Sequence, residues 1–133
     1  MGRIVASVSI SNPLDRKANI RIDALVDTGA SHMTLPMKWR ERLGNMEEIC
    51  TVELETATQK TETGSVCGPV RLQIEGFRPI FTEVIFIEME PESGEYEPLI
   101  GYIPLEQSQA VVDMLGHRLV YVRKLDLKSA MSG

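Results

Sequence analysis

The sequence lacks the features that mark metal centres, disulfide frameworks and membrane spans. Its two cysteines, Cys50 and Cys67, have neither CxxC nor zinc-finger spacing. We expect two free thiols, with a single bridge left open for an exported protein. The longest runs of aliphatic and aromatic residues, 84–87 among them, have only four members, whereas a membrane-spanning helix needs ~20. With no apolar signal segment near the N-terminus, these absences predict a cytoplasmic protein with no membrane partner.

The chain also has no excess of positive charge. Lys and Arg number 14 against 19 Asp and Glu, which gives a formal net charge of −5. Nucleic acids and anionic membranes are bound by basic surfaces that displace counterions. The sequence therefore argues against a nucleic-acid partner, and its residues imply no metal and no cofactor.

Length and patterning favour one all-β domain. The 133 residues suit a single domain over 1–133, with a core of about 1–123 and a polar tail, 124–133. Apolar residues recur with a period of two through much of the chain. Only 37–43, between Pro36 and Gly44, and 105–112, after Pro104, have helical signals. Seven or so short strands with so little helix predict an all-β barrel or sandwich.

One strand runs directly into a carboxylate and a turn of small residues. Residues 24–31 read Ala-Leu-Val-Asp-Thr-Gly-Ala-Ser. The alternation of side chains puts Asp27 at the end of the strand, on the face opposite to that of Val26. Gly29 frees the backbone to turn and lets another chain approach closely. By itself Asp-Thr-Gly is a common turn. Here, however, a hairpin-like segment, 52–66, and an apolar pair closed by glycine, 98–101, follow it.

In this order the three features resemble the retroviral-type aspartic proteases, the retropepsins and their cellular and bacterial relatives. The resemblance covers residues 20–122, and segments 64–70 and 110–120 are similar to the small bacterial members. It implies a closed retropepsin-like acid-protease barrel with a flap hairpin and one or two short helices. It also implies an aspartic endopeptidase that acts on peptide or protein substrates.

The chemistry of these enzymes needs two carboxylates that share one proton. The ionised carboxylate takes a proton from a water that attacks the scissile carbonyl, and the protonated one polarises that carbonyl. This chain has a single Asp-Thr-Gly, and its other aspartates lack the glycine turn. We therefore expect a homodimer in which Asp27 is catalytic and faces its own copy across a two-fold axis.

The resemblance implies roles for the neighbouring residues. Thr28 would bond across the dimer axis, and Gly29 would offer its carbonyl to substrate. Ala30 and Ser31 would line the groove. Substrate contacts at the tip of the flap are expected from three residues: Gln59, Lys60 and Thr61. Three others are expected beneath the catalytic loop, in a structural role: Leu99, Ile100 and Gly101.

The sequence departs from the viral pattern at two positions and leaves alternatives open. Viral enzymes commonly carry Asp and Arg, which pair, where this chain has Ser31 and Tyr102; their joint absence leaves no unpaired charge. Whether the segment after Val122 joins a dimer sheet, as viral termini do, is open. Two other functions compete: a non-catalytic dimeric peptide-binding or scaffold module on the same fold, and an unrelated small β-barrel.

Overall fold

The computed structural model describes residues 3–55, 61–89 and 97–123. Within these ranges the strands are β1 (Val5–Asn12), β2 (Asp15–Val26), β3 (Met33–Pro36), β4 (Glu47–Glu55), β5 (Thr61–Ile74), β6 (Pro79–Ile87), β7 (Leu99–Ile100), β8 (Ala110–Asp113) and β9 (Arg118–Tyr121). A 3₁₀ helix spans Met37–Leu43, and α1 spans Tyr102–Gln107. The prediction of an all-β fold with two short helices is confirmed. Across the described ranges no helix is long and apolar enough to cross a membrane.

The second helix differs from its prediction. Residues 105–112 were expected to be helical, but α1 ends at Gln107, and Val111 and Val112 belong to β8. The helix instead begins before Pro104, since proline is tolerated in a first turn, where its missing N–H has no intrahelical partner. Gln109 then adopts a φ of 59°, which turns the chain from α1 into β8.

The main sheet closes on itself. Its strand order is β1-β2-β7-β3-β6-β5-β4, and β1 also pairs with β5. Strand β5 makes this possible through its length of 14 residues. One stretch of it pairs with β4, from Thr61 to Gly68, and a later stretch, 71–74, pairs with β1. The ring is therefore closed by β1, while β4 extends one side of it as half of a hairpin.

The β4–β5 hairpin corresponds to the predicted flap. Its ladder runs from Glu47 opposite Gly68 to Glu55 opposite Thr61. Gly64 lets the hairpin lie close against β6, because a Cβ there would stand 2.8 Å from the Ile85 Cγ2. Residues 56–60, which include two of the predicted tip residues, lie outside the described ranges.

Alternating side chains from the ring fill the core. Fully buried members come from most strands: Val8, Ile10, Met33, Leu35, Val70, Leu72, Ile74, Val84, Phe86 and Ile100. Strands β8 and β9 form a separate two-stranded sheet. Ala110, Val112 and Leu119 attach this sheet to the core. The predicted polar tail, 124–133, lies outside the described ranges.

The two phenylalanines of β6 give a direct test of this core. Phe86 is fully buried, whereas Phe81, on the same strand, is 60% exposed. We expect Phe86→Ala to lower the free energy of unfolding by about 3–5 kcal/mol, because it removes transfer energy and leaves a cavity. Phe81→Ala should cost less than about 1 kcal/mol. Urea unfolding at equal protein concentration measures the change in unfolding free energy of both variants. Equal changes would contradict the assignment of Phe86 to the buried face of β6 and of Phe81 to its exposed face.

The two thiols should differ in reactivity. Both cysteines are free, Cys50 is exposed and Cys67 is buried. Burial raises the pKa of the Cys67 thiol, which disfavours the reactive thiolate. In the native protein at pH 8 we expect iodoacetamide to modify Cys50 quickly and Cys67 only on unfolding, as read by mass spectrometry. In native Cys50→Ser protein only Cys67 can react, so rapid modification of that variant would contradict the burial of Cys67.

Candidate active site

Asp27 follows the last residue of β2 and is held there mainly by backbone contacts. Strand β2 pairs in parallel with β7, and Val26 lies opposite Ile100. The Asp27 N–H continues this pairing by donating to the Ile100 carbonyl at 3.0 Å. Because Ile100 is fully buried, the carboxylate stands on a rigid part of the barrel.

A tight turn fixes the orientation of the carboxylate. The Gly29 N–H donates to Asp27 Oδ1 at 2.9 Å, and the Ala30 N–H donates to the Asp27 carbonyl at 3.1 Å. The side chain therefore bonds its own loop, which is the usual behaviour of aspartate in a turn. Asp27 is half-buried, while Thr28 and Gly29 are exposed.

The start of α1 binds the rest of this loop. The Gly101 N–H donates to the His32 carbonyl at 3.1 Å. The Tyr102 and Ile103 N–H groups donate to the Ala30 and Ser31 carbonyls, both at 2.9 Å. The first N–H groups of a helix have no intrahelical acceptor. Here loop carbonyls satisfy them, so loop and helix position each other.

Position 101 requires glycine because a side chain would not fit there, and not because of its backbone conformation. Its φ of −85° is open to any residue. A Cβ at this position would lie 2.4 Å from the Ser31 carbonyl carbon and 2.6 Å from both the Ala30 oxygen and the His32 nitrogen. The structure thus brings Ile100 and Gly101 directly against the Asp27 loop, whereas Leu99 pairs with Leu25 and Thr34 on the strands that flank it.

A polar chain next to the loop was not foreseen. Ser31 Oγ and His32 Nδ1 are hydrogen-bonded at 2.7 Å, and His32 Nε2 lies 3.6 Å from Glu83 Oε1. In the sequence, a lone histidine such as His32 indicates a structural or solvent-facing residue rather than part of a site. Glu83 comes from β6 and reaches the loop because β3 and β6 pair in parallel. No sequence signal connects these positions, since the pairing joins distant strands.

The described part of the flap is anchored near its base. Glu48 on β4 accepts a hydrogen bond from Arg40 at 3.2 Å. Hydrogen bonds from Ser65 and Arg40 lower the pKa of Glu48. Thr61, the one predicted tip residue that the structure describes, is exposed at the start of β5; Gln59 and Lys60 lie in the segment left undescribed.

A pocket of about 270 Å³ is lined in part by Asp27 and Thr28. Three parts of the chain form it: Arg3 and Ile4 before β1, residues 25–28 at the end of β2, and Val112 with Met114 from β8 and its turn. Arg3 forms an ion pair with Glu97. Asp27 and Thr28 therefore stand where the N-terminal segment meets the β8–β9 sheet.

No metal ligands are grouped in the described ranges: no three or more His, Cys, Asp or Glu side chains there lie close enough to hold an ion. The ionisable and hydrogen-bonding side chains in and beside the loop include the Asp27 carboxylate and the chain formed by Ser31, His32 and Glu83.

The chain belongs to the aspartyl protease family. The model of that family, described as aspartyl protease, matches residues 8–102, well over half of the sequence. The match includes β2, the Asp27 loop, the β4–β5 hairpin and β7, and it ends at the first residue of α1. The family resemblance drawn from the motifs is confirmed. No curated protein sequence matches the chain significantly.

The fold is that of a retropepsin. The structure is similar to that of the protease of the retrovirus EIAV complexed with the inhibitor HBY-793. The TM-score is 0.58 at 18% sequence identity, over 79% of this chain and 86% of the viral one. At this identity the similarity establishes the fold, whereas chemistry has to be argued from this chain's own residues.

Gly101→Ala tests the contact beneath the loop. We expect a loss of about 1–3 kcal/mol in the free energy of unfolding from overpacking, together with shifted amide NMR signals of residues 30–32. Gly76→Ala is the control, because a Cβ added there would have no atom within 4 Å beyond its chain neighbours, and only the φ of +89° opposes the change. Unmoved loop signals in Gly101→Ala would contradict the close approach.

Proposed function

We propose that the protein is an aspartic endopeptidase that acts as a homodimer, with Asp27 of each copy forming the catalytic pair. The observation that carries this proposal is the backbone-fixed, half-buried Asp27 carboxylate in a chain of the aspartyl protease family. A preorganised carboxylate is what general acid–base catalysis needs.

The reaction uses two carboxylates in different protonation states. Like charges a few ångströms apart do not both ionise, so the pair holds a single proton. The ionised Asp27 takes a proton from a bound water, and the water oxygen attacks the peptide carbonyl carbon. The protonated Asp27 donates a hydrogen bond to the carbonyl oxygen as negative charge develops there. Transfer of a proton to the amide nitrogen then allows the carbon–nitrogen bond to break.

A second copy supplies the second carboxylate. The chain has one Asp-Thr-Gly, and a two-fold axis beside it places each Asp27 opposite its equivalent. Exposed Thr28 and Gly29 support this arrangement, since they leave the crest of the loop accessible to a partner. In the proposed dimer Thr28 bonds across the axis.

The substrate class follows from the elements around the loop. We propose that an extended peptide binds between the loop, at Gly29, Ala30 and Ser31, and the β4–β5 hairpin, where the sequence predicts contacts from Gln59, Lys60 and Thr61. Hairpins that close over a substrate exclude water from the reaction, and extended peptides are recognised through backbone hydrogen bonds. The two free thiols favour a reducing compartment, so we propose a cytoplasmic location.

Asp27→Asn tests the catalytic assignment. The amide oxygen of asparagine still accepts the Gly29 N–H, so the loop is retained, but the amide cannot exchange the proton. We expect kcat/KM for cleavage of a peptide library to fall ~10²–10⁴-fold or more, while the dimer persists on a sizing column.

Asp15→Asn is the matched control. Asp15 begins β2, and its Oδ1 accepts the Lys17 N–H two residues on at 3.2 Å, as Asp27 does with Gly29 at the other end of the strand. This variant should cleave like the wild type. Equal activity of the Asp27→Asn protein would refute the mechanism. Peptide binding without cleavage by the wild type would instead favour the non-catalytic binding module.

A further inference from the structure

A chain of three polar side chains connects the Asp27 loop to β6. Ser31 Oγ and His32 Nδ1 lie 2.7 Å apart, and His32 Nε2 lies 3.6 Å from Glu83 Oε1. The first distance is that of a short hydrogen bond, whereas the second is that of an ion pair without a direct hydrogen bond. The proton transfers of the proposed reaction use none of these side chains, so their arrangement calls for a separate explanation.

The His32 ring is largely buried between its two partners. Its side chain is 20% exposed, against 44% for Glu83, and Ser31 is half-buried. The other neighbours are uncharged: the Thr34 hydroxyl and the Gly101 N–H both donate to the His32 carbonyl, at 3.4 and 3.1 Å. Among the described residues, Glu83 is the one carboxylate within 4 Å of the ring. A single negative charge, from β6, therefore faces Nε2.

The backbone that carries this chain has little freedom to shift. The Ile103 N–H donates to the Ser31 carbonyl at 2.9 Å, and a Cβ at Gly101 would lie 2.6 Å from the His32 nitrogen. Directly after His32, Met33 begins β3 and lies opposite Val84 on β6. A change in the charge of the ring is therefore answered by the positions of side-chain protons and not by movement of the loop.

The position of Glu83 selects one form of the neutral ring. A neutral imidazole carries one N–H. A proton on Nε2 points toward the Glu83 carboxylate, whereas a proton on Nδ1 would leave the Nε2 lone pair facing that negative charge. The carboxylate therefore favours the Nε2–H form. In that form Nδ1 is an acceptor, and the Ser31 hydroxyl donates its only proton to the ring.

Protonation of the ring reverses this hydrogen bond. Both nitrogens of an imidazolium carry protons, so the proton taken from solvent ends on Nδ1, which then donates to Ser31 Oγ. The hydroxyl proton is released and needs another acceptor. The Asp27 carboxylate, the other ionisable group of this loop, accepts the Gly29 N–H and belongs to the catalytic pair of the proposed function. The half-buried Ser31 hydroxyl instead has the peptide groove of that function beside it.

We propose that His32 is a positioning residue whose protonation turns the Ser31 hydroxyl from the ring toward a carbonyl of the bound peptide. Glu83 holds the ring in the orientation that makes this reversal possible. The inference rests on the proposed function, which supplies the peptide. Because the charged ring frees one hydrogen-bond donor for the substrate, acid should strengthen peptide binding without altering the chemical step.

The ring nitrogens of His32 test the first half of this inference. Long-range proton–nitrogen NMR spectra distinguish the Nε2–H form, the Nδ1–H form and the imidazolium. Between about pH 8 and 5, the range in which histidine ordinarily changes charge, we expect an Nε2–H ring to become doubly protonated. The amide signals of residues 30–32 should follow the same curve. His117, the other histidine of the chain, is the internal reference, and His32→Gln assigns the signals.

Glu83→Gln tests the selection of the ring form against a matched control. This substitution removes the negative charge at Nε2, so part of the neutral ring should shift to the Nδ1–H form. Glu75→Gln removes an equal charge from an exposed carboxylate that is not in contact with His32, whose ion pair among the described residues is with Glu83. It should leave the nitrogen signals of His32 as they are in the wild type.

The pH dependence of peptide cleavage tests the second half. Ser31→Ala lacks the hydroxyl, and His32→Gln has no ring to protonate. From about pH 7.5 to 5.5 we expect the wild-type KM for a library peptide to fall ~3–10-fold more than that of either variant, the effect of one hydrogen bond gained. The pH dependence of kcat should be the same in all three, because the Asp27 pair is unchanged. A merely structural role would give the variants the wild-type pH dependence of KM.

Each outcome supports or overturns the inference. A neutral wild-type ring protonated on Nδ1, or a ring that keeps one state throughout the titration, overturns it, and active protein then leaves the proposed function standing. A KM that falls equally in wild type and Ser31→Ala also overturns it. A ring that switches in protein that cleaves no peptide supports the proton switch. That result refutes the endopeptidase and, with it, the role of Ser31 in substrate binding.

Discussion

The close approach of β7 to the Asp27 loop is the contact on which the rest of this structure depends. Ile100 receives the Asp27 N–H, and Gly101 lies against the backbone of Ala30, Ser31 and His32. This contact joins β2, β3 and α1 at one point of the ring. The position of the Asp27 carboxylate is thereby set by buried backbone, which resists displacement far better than an exposed side chain would.

This constraint explains why a small chain can present such a loop at its surface. The loop carbonyls are satisfied by Gly101 and the start of α1, and the carboxylate is satisfied in part by Gly29. Thr28 and Gly29 are therefore left to face outward. A rigid loop with an accessible crest is compatible with the proposed homodimer, in which a second copy supplies the second carboxylate. Val112 and Met114 line the same pocket as Asp27 and Thr28, so a segment far along the chain borders this loop.

Much of the fold follows from local patterns in the sequence. Period-two apolar residues gave the main strands, and Pro36 and Gly44 bounded the first helix. The predicted ends of secondary-structure elements were wrong where tertiary contacts set them. Residues 105–112 look helical beside Pro104, yet Ala110 and Val112 are drawn into β8 by packing on the core. The double pairing of β5 was likewise unforeseen, because it depends on how the ring closes.

The sequence by itself determined the family and the all-β class and pointed to a candidate site, since a strand ending in Asp-Thr-Gly and a later apolar pair with glycine are local signals. Only the tertiary structure decided which residues from distant segments lie next to that loop. Glu83 reaches His32 through parallel pairing of β3 with β6. Val112 and Met114 reach the Asp27 pocket through the packing of a hairpin that begins far along the chain. Local patterns fix how each segment lies, whereas contacts between distant segments are fixed by closing the ring and filling one core.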